Sequence, residues 1–361
     1  MTGDQGFHIY NMNSRGYFSY FNWTISADGV SVTSNCGLTT LGYYYDTPVK
    51  GQAPVNWGCW MGMKVDSNIV INSHAKPVAT LGGLSTRKYQ NHIRSEIVKG
   101  PRTEEEYAKL NLPMNFSWQN VSGVDYVSPL RDQGNCGSCF AHASSEMMTA
   151  RVRVALGKKG TPPPIDTGYI ASPEDIVRCS VFTQGCKGGF NYLAALHMFA
   201  FGIVDERCFP YQSGYRNGET IDCSWKCQDE SMASTMYAVD FGYVGGYYGA
   251  GNEVNMLLEL YERGPIAVSL EVTDVFLKYK SGVLTGPSGH TGDDRNKNPV
   301  EISNHAVLLI GWGFDEQTSL PYWLIQNSWG RHWGDAGLIR VQRGTDTFAV
   351  ESCPVYLIPN V

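Results

Sequence analysis

Helical signals in one stretch and strand signals in the next predict an α+β protein, with helices contributed first and a sheet after them. From Cys139 onward, Ala143, Met147, Ala150 and Val154 follow the three-and-four spacing of one buried helix face. Ser172-Pro173-Glu174-Asp175 has the N-cap, first-turn proline and acidic residues of a helix start. Apolar runs of strand length then recur at Ile266–Leu270, Ala306–Ile310, Tyr322–Ile325 and Leu338–Val341.

Residues 1–75 are rich in Tyr, Trp, Val and Ile, with Gly and Asn between short runs. Gly6–Tyr10 and Gly16–Phe21 read as strands joined by a turn at Asn11–Arg15, and Met61–Val65 and Asn68–Ile71 as further strands of a small antiparallel unit. Residues 76–111 lose apolar periodicity and gather charge around Arg102–Lys109, as expected of a linker or pro-segment. Residues 112–361 have the composition of a dense core. Within them a Pro-rich loop at Thr161–Ile165 closes the first helical region, and Asn191–Phe201 reads as a third helix.

The composition excludes several classes. The chain has 361 residues, a net charge of -6 and a hydrophobic fraction of 42%, values of a packed globular protein. It lacks the basic block that a nucleic-acid partner would need, and no apolar run is long enough for a membrane span. The 10 cysteines show none of the paired zinc spacings, so no metal is expected. They read as a disulfide framework and hence as a protein of the secretory route, lysosomal or secreted. Sequons at Asn22, Asn115 and Asn120 agree. No signal peptide is visible at the start, so the chain is expected to begin inside a longer precursor.

Gln133-Gly134-Asn135-Cys136-Gly137-Ser138-Cys139-Phe140 is the strongest local motif. The thiolate is the attacking form of cysteine, and free N–H groups at a helix start lower a thiol's pKa. Cys139 sits at such a start. Ser303-Asn304-His305 opens an apolar strand, which places His305 on a rigid platform for a base. Asn327, just past the next strand, can hold the imidazole in one tautomer. The Gln133 side-chain amide and the Cys139 backbone N–H are candidates for an oxyanion hole.

These motifs resemble those of papain-like cysteine peptidases. Phe140 stands where that signature has Trp or Tyr, and His142 stands where the family has an apolar residue, a change expected to act on the S1 side wall or on helix packing. Cys186–Tyr192, Cys208-Phe209-Pro210-Tyr211, Tyr243–Gly249, Asn304–Leu309 and Arg343–Asp346 further resemble the dipeptidyl-peptidase branch of the family, the cathepsin C type.

The resemblance implies a two-lobe papain-like fold, a helical lobe plus a β-barrel lobe, preceded by a partial antiparallel β exclusion domain. It implies release of dipeptides from the free N-termini of peptides or proteins, with Trp329 shielding the His305–Asn327 pair. It also implies a chloride ion held by the Phe190 N–H and the Tyr192 and Tyr243 hydroxyls, a homo-tetramer, and the pairs Cys136–Cys186, Cys179–Cys223 and Cys208–Cys227. Cys36, Cys59 and Cys353 remain unassigned. Asn296–Pro299 resembles the loop cut into heavy and light chains. In that branch the free N-terminal residue of the exclusion domain captures the substrate amine, and Met1 is not that residue. Two other readings stay open: a papain-like endopeptidase with an open cleft, and a catalytically silent peptide-binding homologue.

Overall fold

The computed structural model describes residues 11–12, 17–25, 32–40 and 111–361, apart from 161–167, 217, 219–220, 225, 229–234, 247–250 and 287–302. The expected strands at 6–10, 61–65 and 68–71, most of the 76–111 segment, the 161–165 loop, the 296–299 loop and Cys59 lie outside these residues, in whole or in the main. In the N-terminal part, β1 (Asn11–Met12), β2 (Tyr17–Ile25) and β3 (Val32–Thr40) form a three-stranded antiparallel sheet. The expected turn over 11–15 is corrected at its start. Asn11 and Met12 are strand, opposite Ser19 and Phe18, because backbone pairing with β2 overrides the local turn preference of the asparagines. Strand β3 carries no strand signal singled out above.

In the C-terminal part, helix α1 (Cys139–Lys158) is buried on every side from Phe140 to Val154. A helix so enclosed needs no clean amphipathic stripe; Ser144, Ser145, Glu146, Thr149, Arg151 and Arg153 share its burial with the expected apolar face. Arg151 is accommodated because its guanidinium bonds Glu259 (2.9 Å) and the carbonyls of Pro265 (2.7 Å), Leu357 (2.8 Å) and Gly264 (3.2 Å). Helix α2 (Pro173–Cys179) starts as its sequence predicts, with Ser172 Oγ accepting the Asp175 N–H at 3.2 Å. Helix α3 (Asn191–Ala200) packs against α1.

The sheet side begins with the short strand β4 (Phe116–Ser117), while β5 (Ile203–Val204) and β6 (Thr235–Met236) pair separately. Strand β7 (Ala238–Tyr243) precedes α4 (Glu253–Arg263), a helix not expected from the sequence reading although Asn252 caps it and Gly264 (φ 112°) ends it. There follow β8 (Ile266–Leu270), α5 (Asp274–Leu277), β9 (Val283–Leu284), β10 (His305–Asp315), β11 (Leu320–Gln326), β12 (Leu338–Gln342) and β13 (Val355–Pro359). The strand order is β7-β13-β8-β10-β11-β12-β9, with β4 added on β10. All these pairings are antiparallel except β12 with β9. Helix α1 lies against β10 and β13. The N-terminus of α1, the start of β10 and the end of β11 thereby frame one site.

Three disulfides, Cys136–Cys186, Cys179–Cys223 and Cys208–Cys227, match the implied pairs. Cys353 is buried. For Cys36 the structure gives only a backbone position on β3, opposite Phe21.

Candidate active site

Cys139 is the first residue of α1, half-buried and outside any disulfide. The preceding turn needs glycine at 137: its N–H bonds the Cys186 carbonyl at 2.9 Å, and a Cβ there would lie 2.7 Å from the same oxygen. The thiol is held by the N–H groups of Ala306, Phe140 and its own residue, all of which favour thiolate. Burial acts the other way and is the larger effect, so the thiol pKa lies above the ordinary value. The sequence expectation of a lowered pKa is therefore corrected: the helix-start donors are in place, and desolvation outweighs them.

The contact with Ala306 puts the thiol beside the strand start that carries His305. Burial lowers the His305 pKa to about 4, partly offset by its bond to Asn327, so the imidazole is a neutral base across ordinary pH. His305 Nε2 lies 2.8 Å from Asn327 Oδ1. That same oxygen accepts the Ser328 N–H at 2.8 Å, which identifies it as the acceptor end of the amide. Nε2 must then carry the proton, leaving Nδ1 with its lone pair free. The juxtaposition follows from sheet register. Leu308 faces Gln326 across the β10–β11 ladder, so the start of one strand and the end of its antiparallel neighbour meet.

Aromatic rings close the site. Trp329 stacks on His305 with centroids 4.7 Å apart and planes at 28°. Phe276 stands edge-on to both, and Trp333 edge-on to Trp329 at 5.0 Å. Asn327 is fully buried. A hydrogen bond excluded from water in this way is stronger than an exposed one.

Gln133 is held at both ends of its amide. Oε1 accepts from Ser328 Oγ at 2.7 Å, and Nε2 donates to the Cys136 carbonyl at 2.9 Å. One N–H of the amide group is left over. Its backbone is fixed too, since Gln133 N–H donates to the Ser328 carbonyl at 2.8 Å. Three sequence-predicted residues, Gln133, His305 and Asn327, are thus joined through Ser328, and the Cys139 thiol meets the Ala306 N–H directly beside His305. Ser328, which ties Gln133 to the asparagine segment, was not anticipated. Its only sequence signal is its place directly after Asn327.

His142 is wholly buried, with Nδ1 3.0 Å from the Ser138 carbonyl and its ring edge-on to Tyr211 at 4.4 Å, so it acts on helix packing. Burial lowers its pKa to about 3. The residues implied for an anion are also adjacent. Phe190 precedes α3, Tyr192 lies in its first turn, and the Tyr192 ring stacks on Tyr243 of β7 at 4.6 Å and 10°. Burial raises the Tyr192 pKa to about 12, so its hydroxyl keeps its proton and can donate. Among the described residues no cluster of three or more His, Cys, Asp or Glu is placed to hold a metal ion. Among the same residues no helix is long and apolar enough to cross a membrane.

Comparison with known proteins adds the following. Residues 112–358 match the family described as papain family cysteine protease. The chain is 39% identical over 252 residues to a cathepsin C of Schistosoma mansoni, a match covering 69% of this chain and 52% of that relative. The chain therefore spans about half of that relative's length. It is 32% identical over 273 residues to a gut-specific cysteine proteinase of Caenorhabditis elegans, covering 70% of this chain and 75% of the relative. To the pro-cathepsin H of Mus musculus it is 30% identical over 256 residues, covering 69% and 66%. Among solved structures, procathepsin B S9 of Trypanosoma congolense superposes with a TM-score of 0.57 at 23% identity, covering 78% of this chain and 87% of that one, a likeness of fold.

Proposed function

The chain belongs to the papain family of cysteine proteases, and on that premise we propose that it releases dipeptides from free N-termini, with Cys139 as nucleophile, His305 as acid and base, and Asn327 as the residue that orients the imidazole. What carries the dipeptidyl reading is the 39% identity with a cathepsin C, against 32% and 30% with the gut proteinase and pro-cathepsin H. The Cys139 thiol gives its proton to Nδ1 of His305. Burial disfavours each charge separately, so thiolate and imidazolium form together and stabilise one another. The sulfur attacks the scissile carbonyl. The resulting oxyanion takes the Cys139 N–H and the spare N–H of Gln133, a class of interaction worth ~10²–10³ in rate per donor. His305 then protonates the leaving amine, and afterwards takes a proton from the water that hydrolyses the thioester.

Phe190, Tyr192 and Tyr243 would hold a chloride ion. The Phe190 N–H and a tyrosine hydroxyl such as that of Tyr192, which keeps its proton, can donate toward an anion, and the stacked rings bring the two tyrosines together. When bound, chloride would supply a fixed negative charge beside these rings. The three disulfides fit an oxidising compartment, lysosomal or secreted, and a homo-tetramer is the proposed assembly.

The test compares two fluorogenic dipeptide substrates, one with a free amine and one acetylated, at mildly acidic pH with and without chloride. Active-site titration with an epoxide runs beside it. Cleavage of the free-amine substrate alone, faster with chloride, is the expected result. Cleavage of both at similar rates would replace the dipeptidyl reading by an endopeptidase. Failure of Cys139 to react would overturn the nucleophile assignment.

A further inference from the structure

We infer that Tyr211 is a positioning residue that sets the distance between the two oxyanion donors; the inference rests on the Gln133 and Cys139 assignment proposed above. The Tyr211 hydroxyl lies 2.7 Å from the Gln133 carbonyl and 2.7 Å from Ser138 Oγ. A carbonyl only accepts, so the tyrosine proton goes to Gln133, and Ser138 must donate to the tyrosine oxygen. One hydroxyl therefore links the residue whose side chain is one donor to the residue whose following peptide N–H is the other. Ser138 is the N-cap of α1, yet its side chain caps no helix N–H; its hydroxyl makes this shorter link to Tyr211 and lies 3.4 Å from His142 Nδ1. The far side of the same peptide is fixed as well, because the Ser138 carbonyl receives the Ala141 and His142 N–H groups and lies 3.0 Å from His142 Nδ1.

Tyr211 is itself rigidly mounted. Its N–H bonds Glu206, which pairs with Arg131 at 2.9 Å. Just beyond it, the buried Glu174 carboxylate accepts the N–H groups of Gln212 and Ser213 and the Ser213 hydroxyl. Gly214 then lies against the Gln133–Gly134 backbone so closely that a Cβ on either glycine would meet main-chain atoms of the other segment. The Asn135 N–H bonds the Gly214 carbonyl at 2.9 Å. None of these groups reaches the reacting carbon. They hold the segments that do.

The experiment compares Gln133→Ala, Tyr211→Phe and Ser138→Ala with the unmodified protein in three measurements: kcat and KM on a peptide substrate, affinity for a peptide aldehyde, and the rate of Cys139 alkylation by iodoacetamide. The aldehyde forms a tetrahedral hemithioacetal whose oxygen occupies the hole and alkylation forms none, so only the first two sense the hole. Tyr211→Phe should lower kcat and aldehyde affinity together, by about ten-fold for a sub-ångström misplacement, with KM little changed. Alkylation should proceed at the normal rate. Ser138→Ala, which removes the other half of the link, should behave alike and carries the test if the tyrosine variant misfolds. Gln133→Ala sets the scale. If it changes neither kcat nor aldehyde affinity, the oxyanion reading itself fails. If it lowers both while Tyr211→Phe and Ser138→Ala lower neither, the positioning inference is overturned. A parallel loss of alkylation rate in those two variants would also overturn it, because it would mean general damage at Cys139.

Discussion

Replacing Glu146 by Gln should remove a large alkaline destabilisation. Glu146 lies on α1, on the same face as Cys139 and His142, and is 1% exposed. Its Oε2 accepts from Gln326 Nε2 at 3.2 Å, directly before Asn327, and its Oε1 has no hydrogen-bond partner among the described residues. Arg131 offers some compensation but is engaged with Glu206. Burial therefore raises the carboxyl pKa to about 8 from 4.5, and the group is neutral in the folded protein at pH 7.

The sign follows from proton uptake. Between pH 4.5 and about 8 the unfolded chain has lost this proton and the folded chain keeps it, so stability falls as pH rises through that window. At about 1.4 kcal/mol per pH unit the ceiling is about 5 kcal/mol, and relaxation of the site should reduce it to about 2–3 kcal/mol. Glutamine keeps the shape and cannot ionise. Urea unfolding would be followed by tryptophan fluorescence at pH 5, 6.5 and 8, with Cys139 alkylated in both proteins to prevent self-digestion. The unmodified protein should lose about 2–3 kcal/mol more than Glu146→Gln between pH 5 and 8. Asp175 and Glu351, raised by burial to about 6 and about 8, contribute equally to both proteins and cancel in the difference. A difference between the two proteins that does not change with pH would refute the reasoning.

Asn327→Ala removes the acceptor for both His305 and the Ser328 N–H. With a buried bond worth about 1.5–3 kcal/mol, kcat should fall by about 10- to 150-fold with a modest change in KM, and a loss below about three-fold in steady-state assays would count against the orienting role. Arg151→Met strips three carbonyls of their donor and leaves buried Glu259 with Arg263 alone. Denaturant unfolding should show a loss of about 3–5 kcal/mol. Replacing Cys136 and Cys186 by Ser opens a loop of sequence separation 50 beside the nucleophile. Stability should fall by about 4 kcal/mol, read as a lower Tm.

Much of the frame was legible in the sequence because it is local. Ser172-Pro173-Glu174-Asp175 caps a helix by interactions within four residues, and it does so here. The strands at 266–270, 322–325 and 338–341 are declared by their own apolar runs, and each appears within a residue or two of its expected bounds. Helix α4 carries equally local marks, Asn252 before it and Gly264-Pro265 after it. Asn11, at the start of β2's partner strand, prefers a turn when considered alone and a strand when a neighbour supplies hydrogen bonds.

By itself the sequence determined residue types: a cysteine at a helix start, a histidine opening a strand, an asparagine closing the next, and a glutamine upstream. Only the tertiary structure decided how they act. The Leu308–Gln326 register brings His305 and Asn327 to 2.8 Å, a pairing distance that no spacing along the chain encodes. Ser328 fixes the Gln133 amide, and Tyr211 joins Gln133 to Ser138, through contacts between segments far apart in sequence. Protonation is likewise a property of the assembled site. A helix start lowers a thiol's pKa and a lone glutamate ionises well below neutrality, yet at Cys139 and Glu146 the packed core removes water and the balance reverses. Desolvation depends on everything that surrounds a group, and the neighbours that exclude water here come from every part of the fold.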